Sequence, residues 1–367
     1  MNPAPLKAVV ISRNFHPGHY SFLAANYRLF TENNVDTCML HHALFNGMSV
    51  VPPEKVANSF SDLRKFGKPD LAVFWFPSLK NLSDMVRLRL LYGTKIAYVL
   101  HEPVESVQSY RKAGFGRART AIIMLKQMVN YITVLLSHKV ILPSAKANAT
   151  FERNYLHLRK PHLLLPLLFD DEAGHLLAKA DRRFISYIGT IAEDHAFDEF
   201  VQFALLAMEG HWFPGLTFLI ATRSHLPLAC QEALESHIQA GSMVVQQGRP
   251  MDNDSINQFY NGSIVIWNAY RRSMQSGVLP KAFMFGTPLV VSDGNANEFY
   301  ENDHHGKCIS KAYDMAEIRE AISAIVAGFE DYSANCRSTF LTTFYYRTQD
   351  STFLRFLQAS STDRAER

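Results

Sequence analysis

Residues Asn261 to Gly306 decide the fold, and their centre reads Trp267-Asn268-Ala269-Tyr270-Arg271-Arg272-Ser273-Met274-Gln275-Ser276-Gly277-Val278-Leu279-Pro280-Lys281-Ala282-Phe283-Met284-Phe285-Gly286-Thr287-Pro288. Ser263-Ile264-Val265-Ile266-Trp267 is a short apolar run bounded by Gly262 and Asn268, the pattern of a strand buried on both faces of a parallel sheet. Pro288-Leu289-Val290-Val291-Ser292 is a second such run. Between them a polar turn ending in Gln275-Ser276-Gly277 leads into about three turns of apolar helix, which Gly286 closes without a Cβ penalty. The stretch therefore predicts a βαβ unit. A helix N-terminus after a strand presents unpaired N–H groups and a partial positive charge, which attract phosphate. Ser276 and Gly277 would let the backbone approach closely, with Arg271 and Arg272 upstream as cationic partners. An ordinary strand, turn and helix, with Ser276 as N-cap and solvated arginines, fits the local pattern equally well.

The end of this stretch, Gly286-Thr287-Pro288-Leu289-Val290-Val291-Ser292 followed by Asp293-Gly294-Asn295-Ala296-Asn297-Glu298, resembles the donor-site signature of GT-B nucleotide-sugar glycosyltransferases, in particular those similar to glycosyltransferase family 4. Many retaining members carry two glutamates ahead of the Gly-Thr-Pro; the matching positions here are Ser273 and Lys281, neither acidic. The Gln275-Ser276-Gly277 turn instead resembles a subset of bacterial polysaccharide glycosyltransferases, in which small residues and backbone amides hold the diphosphate. The departure leaves open both the usual ribose contact and the retention or inversion of configuration.

At 367 residues the chain is long for one core, and 47% hydrophobic against 19% charged residues is an ordinary globular balance. Cys38, Cys230, Cys308 and Cys336 are far apart with no metal-ligand spacing, which favours a reduced, cytoplasmic setting over a disulfide scaffold. Met1 to Lys7 leads directly into Ala8-Val9-Val10-Ile11, a run too short for a secretory signal and read as the first strand. The net charge of +3 is unevenly placed: Ser106 to Phe151 holds Arg111, Lys112, Arg117, Arg119, Lys126, Lys139 and Lys146 and no acidic residue.

After the first strand comes Arg13-Asn14-Phe15-His16-Pro17-Gly18-His19, with no Gly-x-Gly-x-x-Gly, so the NAD-type fingerprint is absent. Further strands are predicted at 36–41, 71–76 and 95–100, separated by helix-sized segments, and ligands of such sheets lie beyond the strands' carboxyl ends. The third of these ends in His101-Glu102-Pro103, where a histidine can act as a base or hydrogen-bond a sugar hydroxyl; a structural histidine beside a helix-capping Glu102 is the plain alternative. Arg119 to Leu136 reads as a helix, too polar at Lys126, Gln127 and Asn130 to span a bilayer, and its basic flank suits anionic lipid head groups; a buried helix explains it equally. Ser144 is an expected N-cap, as is Asp252 or Asp254.

The resemblance implies two Rossmann-like α/β domains facing a central cleft: an acceptor-binding domain over 1–170, a linker over 171–183, a nucleotide-sugar-binding domain over 184–340 and a helical tail over 341–367 able to pack back on the first domain. It implies a hexosyltransferase moving sugar from a UDP- or GDP-sugar to a glycan or lipid-linked glycan in polysaccharide or glycoconjugate assembly, with no metal or cofactor. The catalytic candidates are His101, Glu102 and His19, and the acceptor-binding candidates are His16 and Gly18. Donor contacts are expected from Gly189, Thr190, His195, Arg249, Tyr270, Arg271, Arg272, Gln275, Ser276, Gly277, Val278 and Glu298. Thr190 and His195 stand where the family has the Arg and Lys that hold the diphosphate, so Arg271, Arg272 or Arg249 is expected to supply the charge. The partners implied are the donor, the acceptor and an anionic membrane at the cytoplasmic face reached through 106–151; nucleic acid is not among them. Two alternatives stay open: a catalytically silent, membrane-associated scaffold of the same fold, and a nucleotide-sugar 2-epimerase using Glu102 and Glu298.

Overall fold

The computed structural model describes residues 5–15, 17–48, 51–112, 115–272, 276–294 and 298–359. His16 and Gln275 lie outside the described residues. The chain divides into two compact units, 1–170 together with 343–367, and 171–342.

The first unit carries strands β1 (Lys7–Ser12), β2 (Asp36–His41), β3 (Val56–Ala57), β4 (Leu71–Trp75), β5 (Lys95–Val99), β6 (Lys139–Leu142) and β7 (His162–Leu164). Its helices are α1 (Tyr20–Glu32), α2 (Phe60–Leu63), α3 (Leu79–Arg87), α4 (Val107–Lys112), α5 (Arg117–Leu136) and α6 (Ala145–Tyr155), and α13 (Tyr346–Gln358) returns to it from the far end of the chain. All strand pairings are parallel, in the order β3-β2-β1-β4-β5-β6-β7. Runs such as Ala72-Val73-Phe74 and Ala97-Tyr98 are wholly buried, as strands covered on both faces must be. The order reverses between β1 and β4, so the loops after those strands diverge and leave a crevice at their carboxyl ends.

Helix starts follow local chemistry: Ser59, Ser78 and Ser144 each accept a backbone N–H of the first turn. The return of α13 is anchored where Phe169 and Tyr345 form a β-bridge, and Tyr346 and Arg347 bind Glu32 of α1. At the other end of α13 the Lys139 ammonium donates to the carbonyls of Phe356, Leu357 and Ala359, a cation on a helix C-terminus. One cation of the basic stretch therefore has a structural use.

The second unit carries β8 (Phe184–Ile188), β9 (Thr217–Ala221), β10 (Met243–Gln246), β11 (Ser263–Asn268), β12 (Leu289–Ser292) and β13 (Gly306–Ile309). Its helices are α7 (Phe197–Glu209), α8 (Leu228–Gln239), α9 (Asn253–Gly262), α10 (Val278–Met284), α11 (Met315–Ala327) and α12 (Phe329–Thr339). The sheet is again parallel, in the order β10-β9-β8-β11-β12-β13, with the reversal between β8 and β11. Phe200, Phe203, Trp267 and Ile322 are among the side chains that fill its core. Asp252 caps α9 by accepting the Ser255 N–H at 2.7 Å, the plain role expected of it.

The central βαβ unit forms, with one correction. The helix α10 has seven residues, two turns rather than three. Gly286 stops it at φ +58°, and a Cβ there would stand 2.7 Å from the Ser333 hydroxyl of α12. The short helix has a correspondingly weak claim to a strong dipole of its own.

Candidate functional site

In the first unit, the loop after β1 and the ends of β4 and β5 bring aromatic rings together. The His19 ring stacks on Phe76 with centroids 3.6 Å apart, and His101 stacks on the same Phe76 at 4.5 Å. Trp75 and Phe22 approach His101 at 5.4 and 6.3 Å. Phe76 sits at φ +61°, a conformation that costs a bulky residue of the order of 1–3 kcal/mol and that the surrounding packing must impose. Asn81 helps impose it by donating to the carbonyls of Trp75 and Phe76 while accepting the Arg13 N–H. Two histidines predicted separately from the sequence are thus parts of one stack, and Phe76, which no sequence signal marked, joins them.

The Nε2 of His101 is buried and meets no hydrogen-bond partner among the described residues. Burial pushes its pKa down to about 3, so the ring is neutral at physiological pH and able to donate or accept one hydrogen bond. The Glu102 carbonyl accepts from Asn130 of α5 at 3.3 Å. Gly18 is exposed in the 3-10 turn Pro17–His19.

In the second unit, the loops after β8 and β11 meet at the sheet's reversal, and here the chemistry is ionic. Gly189 leaves β8 at φ +150°, which glycine adopts without strain, and its N–H still serves the sheet through the Ala221 carbonyl. The Thr190 carbonyl accepts from the Tyr187 hydroxyl at 2.9 Å and from Nδ1 of His195 at 2.7 Å, which puts the proton of a neutral His195 on Nδ1. The His195 ring stacks on Tyr270 at 4.3 Å and 12°. Tyr270 is buried, and burial raises its hydroxyl pKa to about 12. It is a neutral hydrogen-bonding group, not a base.

The two arginines are engaged rather than solvated. Arg271 donates to Asp198 at 2.7 Å and Glu199 at 2.8 Å, both in the first turn of α7, and its backbone N–H binds the Asp194 carbonyl at 2.8 Å. These bonds hold the guanidinium pKa above its usual value and, against the effect of burial, hold the Asp198 carboxyl below its own. Arg272 is 9% exposed and lies 3.8 Å from the Asp194 carboxylate. Ser276 donates to Asn268 and accepts the Val278 N–H, both at 3.2 Å, so it fixes the entry to α10 as a cap-like turn ahead of Gly277.

Lys281, which stands where the resembled family has its second glutamate, is 7% exposed and binds Glu172 at 2.6 Å. Asn253 and Asn257 donate to the same carboxylate oxygen. Burial lowers the lysine's pKa and the Glu172 carboxylate opposes that. Asp194, Asp198, Glu199 and Glu172 were not marked from the sequence, because no spacing rule links them to arginines or lysines more than seventy residues away.

Arg249 is exposed after β10, beside Gly248 at φ +82°, and Glu298 is exposed after β12. Among the described residues, no group of three or more His, Cys, Asp or Glu side chains is arranged to hold a metal ion. No helix among them is long and apolar enough to cross a membrane.

No protein-family model matches the sequence, and no curated protein matches it significantly. Solved structures do match the fold along nearly the whole chain. Sucrose-phosphate synthase from Thermosynechococcus elongatus superposes with a TM-score of 0.68 at 15% identity, covering 95% of this chain and 98% of that one. A glycosyltransferase from Rickettsia africae gives 0.67 at 10% identity, covering 98% and 100%. HepE from Anabaena, solved with UDP-glucose, gives 0.66 at 12% identity, covering 96% and 99%. The chain has the GT-B fold, built from two parallel-sheet Rossmann-like units.

Proposed function

We propose that this chain is a nucleotide-sugar-dependent glycosyltransferase that moves a hexose from a UDP- or GDP-sugar to a glycan or lipid-linked glycan acceptor, as in polysaccharide or glycoconjugate assembly. The observation that carries this reading is the meeting of the β8 and β11 loops, with Thr190, His195, Tyr270, Arg271 and Ser276, at the strand-order reversal of the second sheet. Open parallel sheets bind ligands at that point. The similarity in fold to HepE, whose structure holds UDP-glucose, supports the same choice of donor class.

In this reading the diphosphate is received by the turn Gly189–Thr190, by the backbone at Ser276, Gly277 and Val278, and by Arg271 after exchange of a carboxylate for a phosphate. Charge developing on the leaving diphosphate is then stabilised by a guanidinium and by dipoles already in position. His101, kept neutral by burial, orients the donor sugar through one hydrogen bond. Glu102 or His19 removes the acceptor proton if configuration inverts, and His16 and Gly18 are the acceptor-binding candidates.

A second reading has its own observation. Arg271 is balanced by two carboxylates and Lys281 by Glu172, which is what a catalytically silent relative acting as a scaffold would display. The two part on a melting-temperature panel with UDP, GDP, CMP and NAD. A ligand at a hundred times its Kd stabilises the native state by about 2.7 kcal/mol. Stabilisation by UDP or GDP alone, followed by turnover of the matching sugar nucleotide, is the expected result; binding without turnover selects the scaffold, and no shift with UDP or GDP overturns the donor site.

A further inference from the structure

Helix α5 is built inside out. Its buried residues include Thr120, Gln127, Asn130 and Thr133, whereas Ile122, Leu125, Met128, Ile132 and Leu135 are exposed, Leu125 by 66% and Met128 by 61%. The polar side is satisfied inside the unit: Gln127 donates to the Tyr110 hydroxyl and accepts from Asn130, and Asn130 accepts from the Tyr98 hydroxyl at 2.6 Å. At its end, Arg89 donates to the Leu136 carbonyl and Lys160 to those of Leu135 and Ser137. Apart from Val134, the fully buried side of the helix is thus polar and hydrogen-bonded, and an apolar stripe is left on the outside. Leu90 and Leu91, 78% and 58% exposed in the turn after α3, lie in the segment whose Arg89 reaches the Leu136 carbonyl at the end of α5. Contiguous exposed apolar surface of this kind marks a contact with another phase or partner.

Charge selects the occupant. Arg117, Arg119 and Lys126 lie on α5 and Arg111 on α4, all four exposed, and the sequence from Ser106 to Phe151 contains no acidic residue. A second copy of the same face would bring these cations together. We propose that α5 lies flat on an anionic lipid bilayer, inserting Leu125, Met128, Ile132 and Leu135 below the head groups while the flanking cations meet lipid phosphates. Twenty residues of helix span about 30 Å along the surface, and the protein docks without crossing. Asn130 ties the docked helix to the Glu102 carbonyl, beside His101.

The proposal does not rest on the donor-site reading, and its test uses no nucleotide. The full chain is sedimented with vesicles of phosphatidylcholine alone and of phosphatidylcholine with 30% phosphatidylglycerol. Binding to the anionic vesicles is expected, at least tenfold stronger than to the neutral ones and weakened by 0.5 M salt. Exchanging Leu125, Met128 and Ile132 together for Gln is expected to reduce it at least tenfold, and Arg117→Gln, Arg119→Gln and Lys126→Gln by about fivefold each. Unchanged melting temperatures check that these exposed positions leave the fold intact. Absence of vesicle binding, equal binding to both compositions, or variants that bind like the parent would overturn the proposal. So would a solution dimer that the Gln variant dissociates while vesicle binding persists, since the stripe would then belong to a second copy.

Discussion

The two sheets reverse their strand order in the same way, yet the loops at the two reversals differ in kind. At β1 and β4 the side chains that meet are rings, His19 and Phe76, joined by His101 from the end of neighbouring β5, an imidazole that burial keeps neutral. At β8 and β11 they are ions, two arginines against Asp194, Asp198 and Glu199. A stack of flat rings edged by imidazole nitrogens suits the face of a sugar ring. An ionic cluster that already balances itself suits a charged ligand that enters by exchange, and it costs less to hold partly buried than an uncompensated row of cations. In the proposed reading the second reversal receives the diphosphate and the first the reacting sugars.

The largest expected effect is at the ion pair of buried Lys281, in the second unit. Lys281→Ala takes the ammonium away from the Glu172 carboxylate, which Asn253 and Asn257 also bind, and is expected to cost about 3 kcal/mol. In a unit of this size that is a fall of roughly 6–12 °C in melting temperature. The paired change Lys281→Met with Glu172→Gln should recover most of it, which a thermal melt of the three proteins checks. A smaller effect sharpens the assignment of the diphosphate: Arg271→Ala should weaken UDP or GDP binding by about 1.5–3 kcal/mol by titration calorimetry. Asp198→Asn with Glu199→Gln should tighten it, because the ligand no longer competes with the protein's own carboxylates.

At the first reversal the expected signal is in pH. The folded-state pKa of His101 lies near 3, below the ordinary 6.5, so on acidification the unfolded chain takes up the proton first. Stability present above about pH 6.5 is therefore lost as the pH falls toward 3, by about 2 kcal/mol at pH 5 from this residue. His101→Gln should flatten that part of the profile in denaturant melts from pH 7 to 4. The smallest change is Ser276→Ala, which removes the cap-like bond to Val278 and the bond to Asn268 and is expected to cost about 1 kcal/mol.

Much of the frame was legible because strands buried on both faces leave apolar runs and helix starts leave caps, as at Ser263 to Trp267, Ser144 and Asp252. β3, two residues long, leaves no such run. The candidate site was legible only where position along a strand carries it, as for His101 at the end of β5 and Tyr270 after β11. What those residues touch was not: Phe76 owes its place to a strained backbone, and Arg271 meets carboxylates of α7 that are distant in sequence. Gln127 and Asn130 show the same limit, since the polarity that argues against a membrane span does not say that they point inward and turn the leucines out.

The most direct test of the account is a crystal structure with whichever of UDP and GDP raises the melting temperature. The account predicts phosphates against Gly189–Thr190 and Ser276–Gly277, with Arg271 turned from Asp198 toward them. Phosphates bound elsewhere, with the Arg271, Asp198 and Glu199 cluster intact and the β8 and β11 loops empty, would contradict it.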